Sequence, residues 1–432
     1  MSNSRKIAAQ ILFKIYQDFD IEKATKSNKN FQNLDSRDRS FVKLILLNSL
    51  RRHSEIDQII SQFLKKPLSK EKQFIMSLLR VSVCQIIFLC VTEYAAVNSA
   101  VEISKSYKFE RLVNALLRNV CRKKKKILKN IRSETNIPDW LRKDILKFFG
   151  KKKVLEISKQ IIKEPCLDLN FKENIFKKKD YFKIFNGKII SNNMIRIKND
   201  GLIEKLPFFQ DGFWWVQGIA SSIPVRLINN FFRHKKKNNI SVLDIGAAPG
   251  GKTFQLLDKN YNLTSLEISS KRIQKLQDNL VRLNLKTKIV QADILEWEKK
   301  ELFDCILLDA PCSASGLIQK KPEILIKNKF IELQNLVKRQ ELMLNKSISF
   351  LKEGGLLVYS VCSIHSEEGI NQIKKFLRAN KNFSLINTNF FDRNLGENYN
   401  DGMFISTPAD FITSGGIDGF FIACLKRLQS KY

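Results

Sequence analysis

Hydrophobic positions repeat with a helical period through the first third of the chain. Ile7, Ile11 and Ile15 share one helical face, and the run from Leu78 to Phe88 is apolar enough to form a buried helix. This stretch contains one proline, Pro67, and no glycine. The pattern therefore predicts an all-α bundle over residues 1–135.

The pattern changes to short apolar runs over residues 136–212. CLDLNF, KIISNNMIRI and GLIEKLP predict short strands after a helical stretch that ends near residue 163. We interpret this segment as a small α+β linker module, whose basic residues would suit RNA.

From residue 213 to the end of the chain, strand and helix patterns alternate. One helix is predicted from about Lys271 to Leu283, and another from Phe330 to a glycine cap at Gly354-Gly355. The alternation predicts a parallel, doubly wound α/β sheet of the Rossmann-like type, in which ligands bind at the carboxyl ends of the strands. Apolar runs that predict its strands begin at Ser241, Leu263, Lys288, Cys305, Leu356 and Gly419. The whole chain is thus expected to be multidomain.

The net charge of the chain indicates a class of binding partner. Lys and Arg number 75 against 43 Asp and Glu, which gives a net charge of +32 over 432 residues. Such an excess favours a nucleic-acid partner, although the Lys-, Asn- and Ile-rich composition typical of an AT-rich genome accounts for part of it. The amphipathic, polar start does not resemble a signal peptide, and no apolar run reaches about 18 residues. We expect a cytoplasmic protein with no membrane segment.

Cysteine and histidine content argues against a metal site. The eight cysteines form no C-x-x-C pair, and there are only three histidines. We expect no bound metal and reduced thiols in a cytosol.

A glycine loop follows the predicted strand at residues 241–245 and has two readings. Gly246 to Thr253 matches the phosphate-loop pattern G-x-x-x-x-G-K-[ST], which would indicate an NTPase. Pro249 removes one backbone N–H from such a loop, and Asp244 just before it would repel a triphosphate. Glu267, which ends the next strand, suits the hydroxyls of a ribose. Asp293 follows the third strand, so acids after consecutive strands favour a cationic nucleoside such as S-adenosylmethionine.

Two cysteines lie just past predicted strand ends. Cys312 ends the motif Asp-Ala-Pro-Cys, which begins at Asp309, and Cys362 stands in Ser-Val-Cys-Ser. A nucleophilic thiol, a second thiol and a nucleotide-type loop are the parts needed for covalent methyl transfer to a pyrimidine base.

These residues closely resemble the RsmB family, also called Sun or Fmu, of bacterial ribosomal RNA small-subunit cytosine-5 methyltransferases. The matching segments of the second half are VLDIGAAPGGKT (242–253), LLDAPCSASG (307–316), VYSVCSIHSEEG (358–369) and GGIDGFFIACLKR (415–427). AAVNSAVEISK (95–105) and FERLVNALLRNV (109–120) resemble the family's NusB-like helical domain. The resemblance implies a NusB-like RNA-binding domain at 1–135 and a class I methyltransferase domain at 213–432.

The resemblance also implies roles for the site residues. Cys362 would be the nucleophile, Cys312 would assist breakdown of the adduct, and Asp309 would bind the cytosine edge near the cofactor's ammonium group. Glu267 would hold the ribose of S-adenosylmethionine, and Asp293 its adenine amino group. The remaining cofactor-binding residues would be Gly246, Ala247, Ala248, Pro249, Gly250, Gly251 and Lys252. The implied partner is small-subunit ribosomal RNA, bound by a monomer.

Two departures from the family pattern leave alternatives open. The family usually has cysteine where this chain has Gly246, and an Arg-Arg-His-Pro-Asp run where this chain has Gln319 to Glu323. The second change replaces arginine forks by lysine point charges and would alter RNA contacts. The alternatives are a P-loop NTPase, a non-catalytic RNA-binding assembly factor, and the same chemistry on transfer RNA or large-subunit RNA.

Overall fold

The computed structural model describes residues 2–64, 66–69, 72–89, 91–176, 180–198, 201–298, 301–327, 330–386, 397–399 and 402–429. The chain separates into two compact units, one formed by residues 1–163 and 318–328 and the other by residues 164–317 and 329–432. This division differs from the three predicted domains, because residues 136–163 join the helical unit and the rest of the predicted linker joins the sheet unit.

The helical unit has a continuous apolar core. Ile7, Ile11, Leu79 and Leu117 are among its fully buried side chains, as the helical period predicted. Polar caps set some of its boundaries: Asp35 accepts a hydrogen bond from the N–H of Asp38 at 2.7 Å. The helices are α1 (Ser2–Ile15), α2 (Ile21–Lys26), α3 (Lys29–Gln32), α4 (Ser36–Arg51), α5 (His53–Ser61), α6 (Gln73–Phe88), α7 (Glu93–Lys105), α8 (Glu110–Asn130) and α9 (Asp139–Ile161).

Residues 318–328 return to this helical unit from a distant part of the chain. The Arg51 guanidinium donates to the carbonyl of Gln319 at 3.2 and 3.3 Å, and the Trp140 indole donates to the carbonyl of Lys327 at 3.3 Å. Ile324 and Leu325 are buried. The segment that departs from the family pattern is therefore partly packing surface, since Gln319 is buried and only the neighbouring lysines are exposed.

A small antiparallel sheet opens the second unit. Its order is β2-β3-β1-β4, with β1 (Leu167–Phe171), β2 (Lys188–Ser191), β3 (Met194–Ile197) and β4 (Trp214–Val216). Two short helices, α10 (Glu173–Phe176) and α11 (Tyr181–Ile184), lie between β1 and β2. The strand predicted for GLIEKLP is wrong: Ile203–Lys205 form a 3-10 helix, and Ile203 and Leu206 pack against the apolar cluster around β1.

A buried ion pair fastens β3 of this sheet to the chain near its end. Arg196 donates to both carboxylate oxygens of Asp168, at 2.6 and 2.9 Å, and to the carbonyls of Ser414 and Gly416, at 2.7 and 2.6 Å. Both side chains are almost fully buried. Removing either partner would leave an uncompensated buried charge. The pair therefore fixes the small sheet to the segment around Ser414 and Gly416.

The large sheet carries the predicted α/β pattern, with an addition. Strands β5 to β9 run parallel in the order β7-β6-β5-β8-β9, and β13, β12 and β11 continue the sheet antiparallel, with β10 paired to β13. The Rossmann-like prediction is confirmed, whereas the antiparallel part was not predicted. The strands are β5 (Ser241–Ile245), β6 (Asn262–Glu267), β7 (Lys288–Gln291), β8 (Phe303–Asp309), β9 (Leu351–Val361), β10 (Phe383–Leu385), β11 (Glu397–Tyr399), β12 (Met403–Ser406) and β13 (Phe420–Arg427).

Helices connect the parallel strands, and one predicted boundary among them is wrong. Gly354 and Gly355 do not cap a helix but lie inside β9, where its pairing with β8 shifts register. Gly354 takes φ +72°, which the irregular strand needs there. The helices are α12 (Ile219–Phe231), α13 (Gly251–Asp258), α14 (Ser270–Arg282), α15 (Phe330–Ser347) and α16 (Ile370–Ala379). Within the described part of the chain, no helix combines the length and apolarity needed to cross a bilayer.

Candidate active site

The predicted site residues meet at one edge of the large sheet. Glu267 ends β6, Asp309 ends β8, and the glycine loop and Cys362 follow directly after β5 and β9. Because these strands are parallel neighbours, their carboxyl ends share an edge. The topology therefore brings the two cysteines, the acids and the glycine loop to one place.

The two predicted cysteines are in direct contact. Their Sγ atoms are 3.3 Å apart, and both side chains are partly buried. The hydrogen bond to Cys362, followed by burial, raises the pKa of the Cys312 thiol well above its ordinary value. Cys312 therefore holds its proton firmly beside the Cys362 sulfur, and either thiol can donate in the contact between them.

Asp309 contacts the glycine loop on one side and, on the other, strand β9, which leads to Cys362. The Lys252 ammonium lies 2.7 Å from one oxygen of Asp309 and over the ring of Phe420, and the Ser360 hydroxyl donates to the other oxygen at 3.1 Å. Asp309 keeps about a third of its side chain exposed. The edge beside the cysteines therefore offers both a carboxylate and a cation to a polar ligand.

Glycine is needed at two positions of the loop. Gly246 has φ +78°, and a Cβ there would lie 2.5 Å from the backbone oxygen of Asp309. Gly250 has φ +115°, and its Cβ would lie 2.1 Å from the ring of Phe254. The departure at Gly246 thus fits the backbone of this chain, since any side chain there would force the loop or the end of β8 to move.

Asp244 is a fully buried carboxyl group with one satisfied oxygen. Thr253 donates to its Oδ2 at 2.6 Å, and Oδ1 has no hydrogen-bond partner among the described residues. Burial raises the pKa of Asp244 to about 7, despite the Thr253 bond, and the nearby carboxylates of Asp309 and Glu267 add to the shift. An unpaired buried carboxyl oxygen in an acidic pocket fits a ligand with a positive charge.

Glu267 is buried at the end of β6 and holds the loop from the other side. Its carboxylate accepts from the N–H of Ala248 at 3.4 Å and from the N–H of Ser269 at 3.1 Å. Arg272, which is half exposed, lies 3.3 Å from the same carboxylate. A carboxylate has about four acceptor sites, so Glu267 retains capacity for the two hydroxyls of a ribose.

Asp293 follows β7 and is paired with a cation that sequence reasoning missed. Arg339 of α15 lies 2.8 Å from Oδ2, and the N–H of Leu295 donates to Oδ1 at 3.1 Å. Burial opposes ionisation, but these two donors outweigh it and the pKa of Asp293 is lowered. An amino group of a ligand would therefore share this carboxylate with Arg339.

These contacts favour a cationic nucleoside over a triphosphate. A phosphate loop would aim Lys252 and Thr253 at phosphate and magnesium, yet here their side chains bind Asp309 and Asp244. Four acids line the edge, and the described residues contain no cluster of His, Cys, Asp and Glu that could hold a metal ion. The donor set, with its unpaired Asp244 oxygen, fits S-adenosylmethionine.

Arg272, Arg339 and Glu368 take part in this region and were not predicted. The two arginines lie on helices whose pattern resembles any solvated face, so only the fold shows what they contact. Glu368 belongs to the quoted segment around Cys362, but Glu367 beside it looks equivalent in sequence. In the structure Glu367 is exposed and Glu368 is fully buried.

Family models match both halves of the chain. Residues 233–426 match the model described as "16S rRNA methyltransferase RsmB/F", and residues 2–122 match the NusB family. Two similar curated proteins carry the name ribosomal RNA small subunit methyltransferase B. That of Shewanella oneidensis is 29% identical over 87% of this chain and 90% of its own length. That of Photorhabdus laumondii is 29% identical over 83% of this chain and 86% of its own length.

Solved structures agree on the fold. The crystal structure of PH0851 superposes with a TM-score of 0.74 at 19% identity, over 98% of this chain and 99% of that one. The structure of NSun6 from Pyrococcus horikoshii with SFG gives a TM-score of 0.58 at 20% identity, over 68% of this chain and 100% of that one. At these identities the likeness concerns the fold alone.

Proposed function

The chain belongs to the RsmB family of ribosomal RNA small-subunit methyltransferases, with a NusB-family domain ahead of its methyltransferase domain, and on this premise we propose that it methylates carbon 5 of a cytosine in 16S ribosomal RNA. The observation that carries the proposal is the thiol pair, 3.3 Å between sulfurs, at the same sheet edge as Asp309. Methylation of an exocyclic nitrogen or of a ribose oxygen would need no thiol, whereas carbon 5 of cytosine does.

Cys362 is the proposed nucleophile. Carbon 5 of cytosine is weakly nucleophilic until a thiolate adds to carbon 6, which forms the S–C6 bond and places the π electrons at carbon 5. A thiolate is also a good enough leaving group for this addition to be reversed. The 3.3 Å contact between the two sulfurs supports this role, because a Cys312 proton donated to the Cys362 sulfur would stabilise negative charge on Cys362.

Cys312 acts in the second half of the proposed reaction. After methylation a base takes the carbon 5 proton, the C5=C6 bond forms again, and the Cys362 sulfur leaves carbon 6. A neutral thiol next to the leaving sulfur stabilises the thiolate as it departs. The raised pKa of Cys312 keeps its proton in place for that step.

Asp309 and Lys252 are the proposed contacts of the cytosine edge. Asp309 is the more exposed member of the pair and lies two residues before Pro311 in the loop that carries Cys312. A carboxylate accepts from the exocyclic amino group of cytosine, and an ammonium attracts the O2 oxygen. A thiolate must approach carbon 6 from above the ring plane, which the neighbouring bases cover in a duplex, so the target cytosine must be unpaired or flipped out.

The residues that hold S-adenosylmethionine are assigned from the acids and the glycine loop. The cofactor supplies an electrophilic methyl group when bound. The loop from Gly246 to Lys252 lines the methionine part, Glu267 accepts from the ribose hydroxyls, and Asp293 accepts from the adenine amino group. Asp244, with its unpaired oxygen, supplies negative charge behind the cationic part of the cofactor.

RNA binding is assigned to the basic surface, including the helical unit. Residues 122–126 of α8, Arg-Lys-Lys-Lys-Lys, are mostly exposed and present charge to phosphates. The net charge of +32 supports the same assignment. We place the reaction in the cytoplasm, where ribosomal RNA is found, and propose that the enzyme acts as a monomer.

The test traps the covalent adduct. The Cys312→Ser variant, incubated with labelled S-adenosylmethionine and a 16S ribosomal RNA fragment, should yield a protein–RNA band on a denaturing gel because release is impaired. The band should vanish when Cys362→Ala is added, and persist with Cys121→Ser, which alters a partly buried thiol of the helical unit.

Three outcomes decide between the proposals. Adduct on 16S RNA that depends on Cys362 supports the reaction and the nucleophile together. Adduct or 5-methylcytosine only on transfer RNA or large-subunit RNA keeps the chemistry and rejects the substrate. Normal methylation by Cys362→Ala, or no methylation on any RNA by the intact enzyme, rejects the proposal.

A further inference from the structure

Glu368 lies fully buried between two loops that carry the cysteines. We call residues 310–317 the Cys312 loop and residues 362–366 the Cys362 loop. Oε1 of Glu368 accepts from the backbone N–H of Ser313 at 2.7 Å and from Gln340 at 3.0 Å. Oε2 accepts from the hydroxyls of Ser313 at 2.5 Å and Ser363 at 2.6 Å. Each of these serines directly follows one of the cysteines, so one carboxylate holds both loops.

The serines continue this network within the loops. Ser363 Oγ accepts from the N–H of His365 at 3.0 Å and lies 2.8 Å from Ser315 Oγ. Ser315 Oγ in turn accepts from the N–H of Ile364 at 3.1 Å. A backbone bond from Gly316 N–H to the Cys362 carbonyl, 3.0 Å, joins the loops a second time. Glu368 is the point where the side-chain bonds of both loops converge.

A buried carboxylate at this position lowers the free energy of unfolding unless its hydrogen bonds compensate for the loss of water. Taking an ionised carboxylate out of water costs several kcal/mol, and the four donors around Glu368 are neutral amide and hydroxyl groups. Their bonds to a charged acceptor are each about twice as strong as neutral ones and are directional. They offset the cost of burial and at the same time fix the loops in one geometry.

We propose that Glu368 is a positioning residue, which holds the Cys312 and Cys362 sulfurs at their 3.3 Å separation by binding the serine after each of them. This inference rests on the proposed function, because the separation matters only if both thiols act on one base. The cysteines come from different strands and are 50 residues apart in sequence. A displacement of about 1 Å at a reacting group can cost a factor of about 10² in rate.

The charge of Glu368 has a second effect on the pair. After the bond to Cys362 and burial, the negative charge of Glu368 contributes to the raised pKa of the Cys312 thiol. Glu368 therefore helps the Cys312 thiol to keep its proton beside Cys362. A residue that only filled space would leave this distribution unchanged.

The variant Glu368→Gln tests the role with little change of shape. Its amide keeps one acceptor for the N–H of Ser313, but loses the charge and one acceptor oxygen. The matched control is Glu367→Gln, since Glu367 is the preceding residue and is exposed, and Asn371 is the one described residue that bonds its side chain. With S-adenosylmethionine and RNA, Glu368→Gln should slow single-turnover methylation of the RNA at least tenfold. Cofactor affinity and melting temperature should stay close to those of the control.

A pH profile separates positioning from general damage. Alkylation of Cys312 by iodoacetamide is followed from pH 7 to 11 by peptide mass spectrometry, in full-length protein without RNA, because the pKa of this thiol is raised well above its ordinary value. Loss of the negative charge should move the midpoint to lower pH in Glu368→Gln, while Glu367→Gln should match the wild type. Simple loosening of the loop would raise alkylation at every pH and leave the midpoint in place.

The following outcomes would contradict the inference. If Glu368→Gln methylates RNA as fast as Glu367→Gln, or if the alkylation midpoint does not move, Glu368 does not position the thiols. If Glu368→Gln fails to fold, Ser363→Ala decides, because it removes the arm from Glu368 to the Cys362 loop and leaves Glu368 itself in place; single-turnover methylation within twofold of wild type in that variant rejects the inference. Because alkylation needs no RNA, failure of the proposed function, seen as a wild type that forms no 5-methylcytosine on any RNA, remains distinguishable.

Discussion

The burial of Asp244 predicts how the free energy of unfolding changes with pH. Its pKa rises from 3.8 to about 7 on folding, so the folded state keeps a proton that the unfolded chain releases. Its contribution to the free energy of unfolding is fully present below about pH 4 and decreases as the pH rises to about 7. Above that pH it does not change further. Three pKa units at about 1.36 kcal/mol each give a loss of about 4 kcal/mol between pH 3 and 8. Between pH 5 and 8 the same linkage gives about 2.5 kcal/mol.

The variant Asp244→Asn removes the titration and keeps the shape. Its amide oxygen accepts from Thr253 as the carboxylate does, and its NH₂ group takes the position of the unpaired Oδ1 at a cost of about 1–3 kcal/mol. That cost does not change with pH. The stability of Asp244→Asn relative to the wild type should therefore rise by about 2.5 kcal/mol from pH 5 to 8, or about 5–10 °C in melting temperature for a unit of this size.

Thermal melting of cofactor-free, full-length protein at pH 5, 6, 7 and 8 measures the difference. Asp304→Asn is the matched control, because Ser241 and Lys352 lower the pKa of Asp304 despite its burial, and the stability from a lowered pKa is fully present above about pH 4. Its difference from wild type should be flat over this range. A flat difference for Asp244→Asn too would refute the reasoning. At pH 8 Asp244→Asn should also bind S-adenosylmethionine more weakly than the wild type, although its stability relative to the wild type is higher there than at pH 5.

Three further substitutions have expected outcomes. Glu267→Ala should raise the dissociation constant of S-adenosylmethionine about 10²-fold, through loss of two charge-assisted hydrogen bonds, and an unchanged constant by calorimetry would remove Glu267 from the site. Gly250→Ala should lower the melting temperature and abolish cofactor binding, because its Cβ would lie 2.1 Å from the ring of Phe254. The control Gly251→Ala has its nearest contact at 3.5 Å and should fold and melt as the wild type. Equal melting temperatures for the two variants would contradict the loop geometry. Arg196→Met should cost about 3–5 kcal/mol by leaving Asp168 buried without its cation, and a urea midpoint equal to that of the wild type would show that the pair contributes nothing.

The parts of the site that follow strand ends could be predicted from the sequence. Apolar runs with period-two or continuous burial locate β5 and β8, and the topology rule then places Asp309 and the glycine loop at one edge. The contact between Cys312 and Cys362 depends on β8 and β9 being neighbours, which the sequence pattern does not contain. The resemblance to the family implied roles for the two cysteines but did not predict their contact.

The parts that were missed depend on contacts between distant segments. Gly354 and Gly355 look like a helix end in sequence, because a glycine pair after an amphipathic run is typical of a cap. In the structure the pairing of β9 with β8 begins at Leu351, so the tertiary partner overrides the local signal. The pairing of Arg339 with Asp293, 46 residues away, likewise has no local signature.

The return of residues 318–328 to the helical unit has a consequence for biosynthesis. The first 163 residues leave the ribosome well before the segment that completes their unit, and strands β1 to β8 are made in the interval. At about 5–20 residues per second, the wait lasts about 8–30 s. During that time the surface later covered by Ile324 and Leu325 stays open to solvent and to chaperones. The amino-terminal unit of this enzyme is thus begun first and finished late in translation.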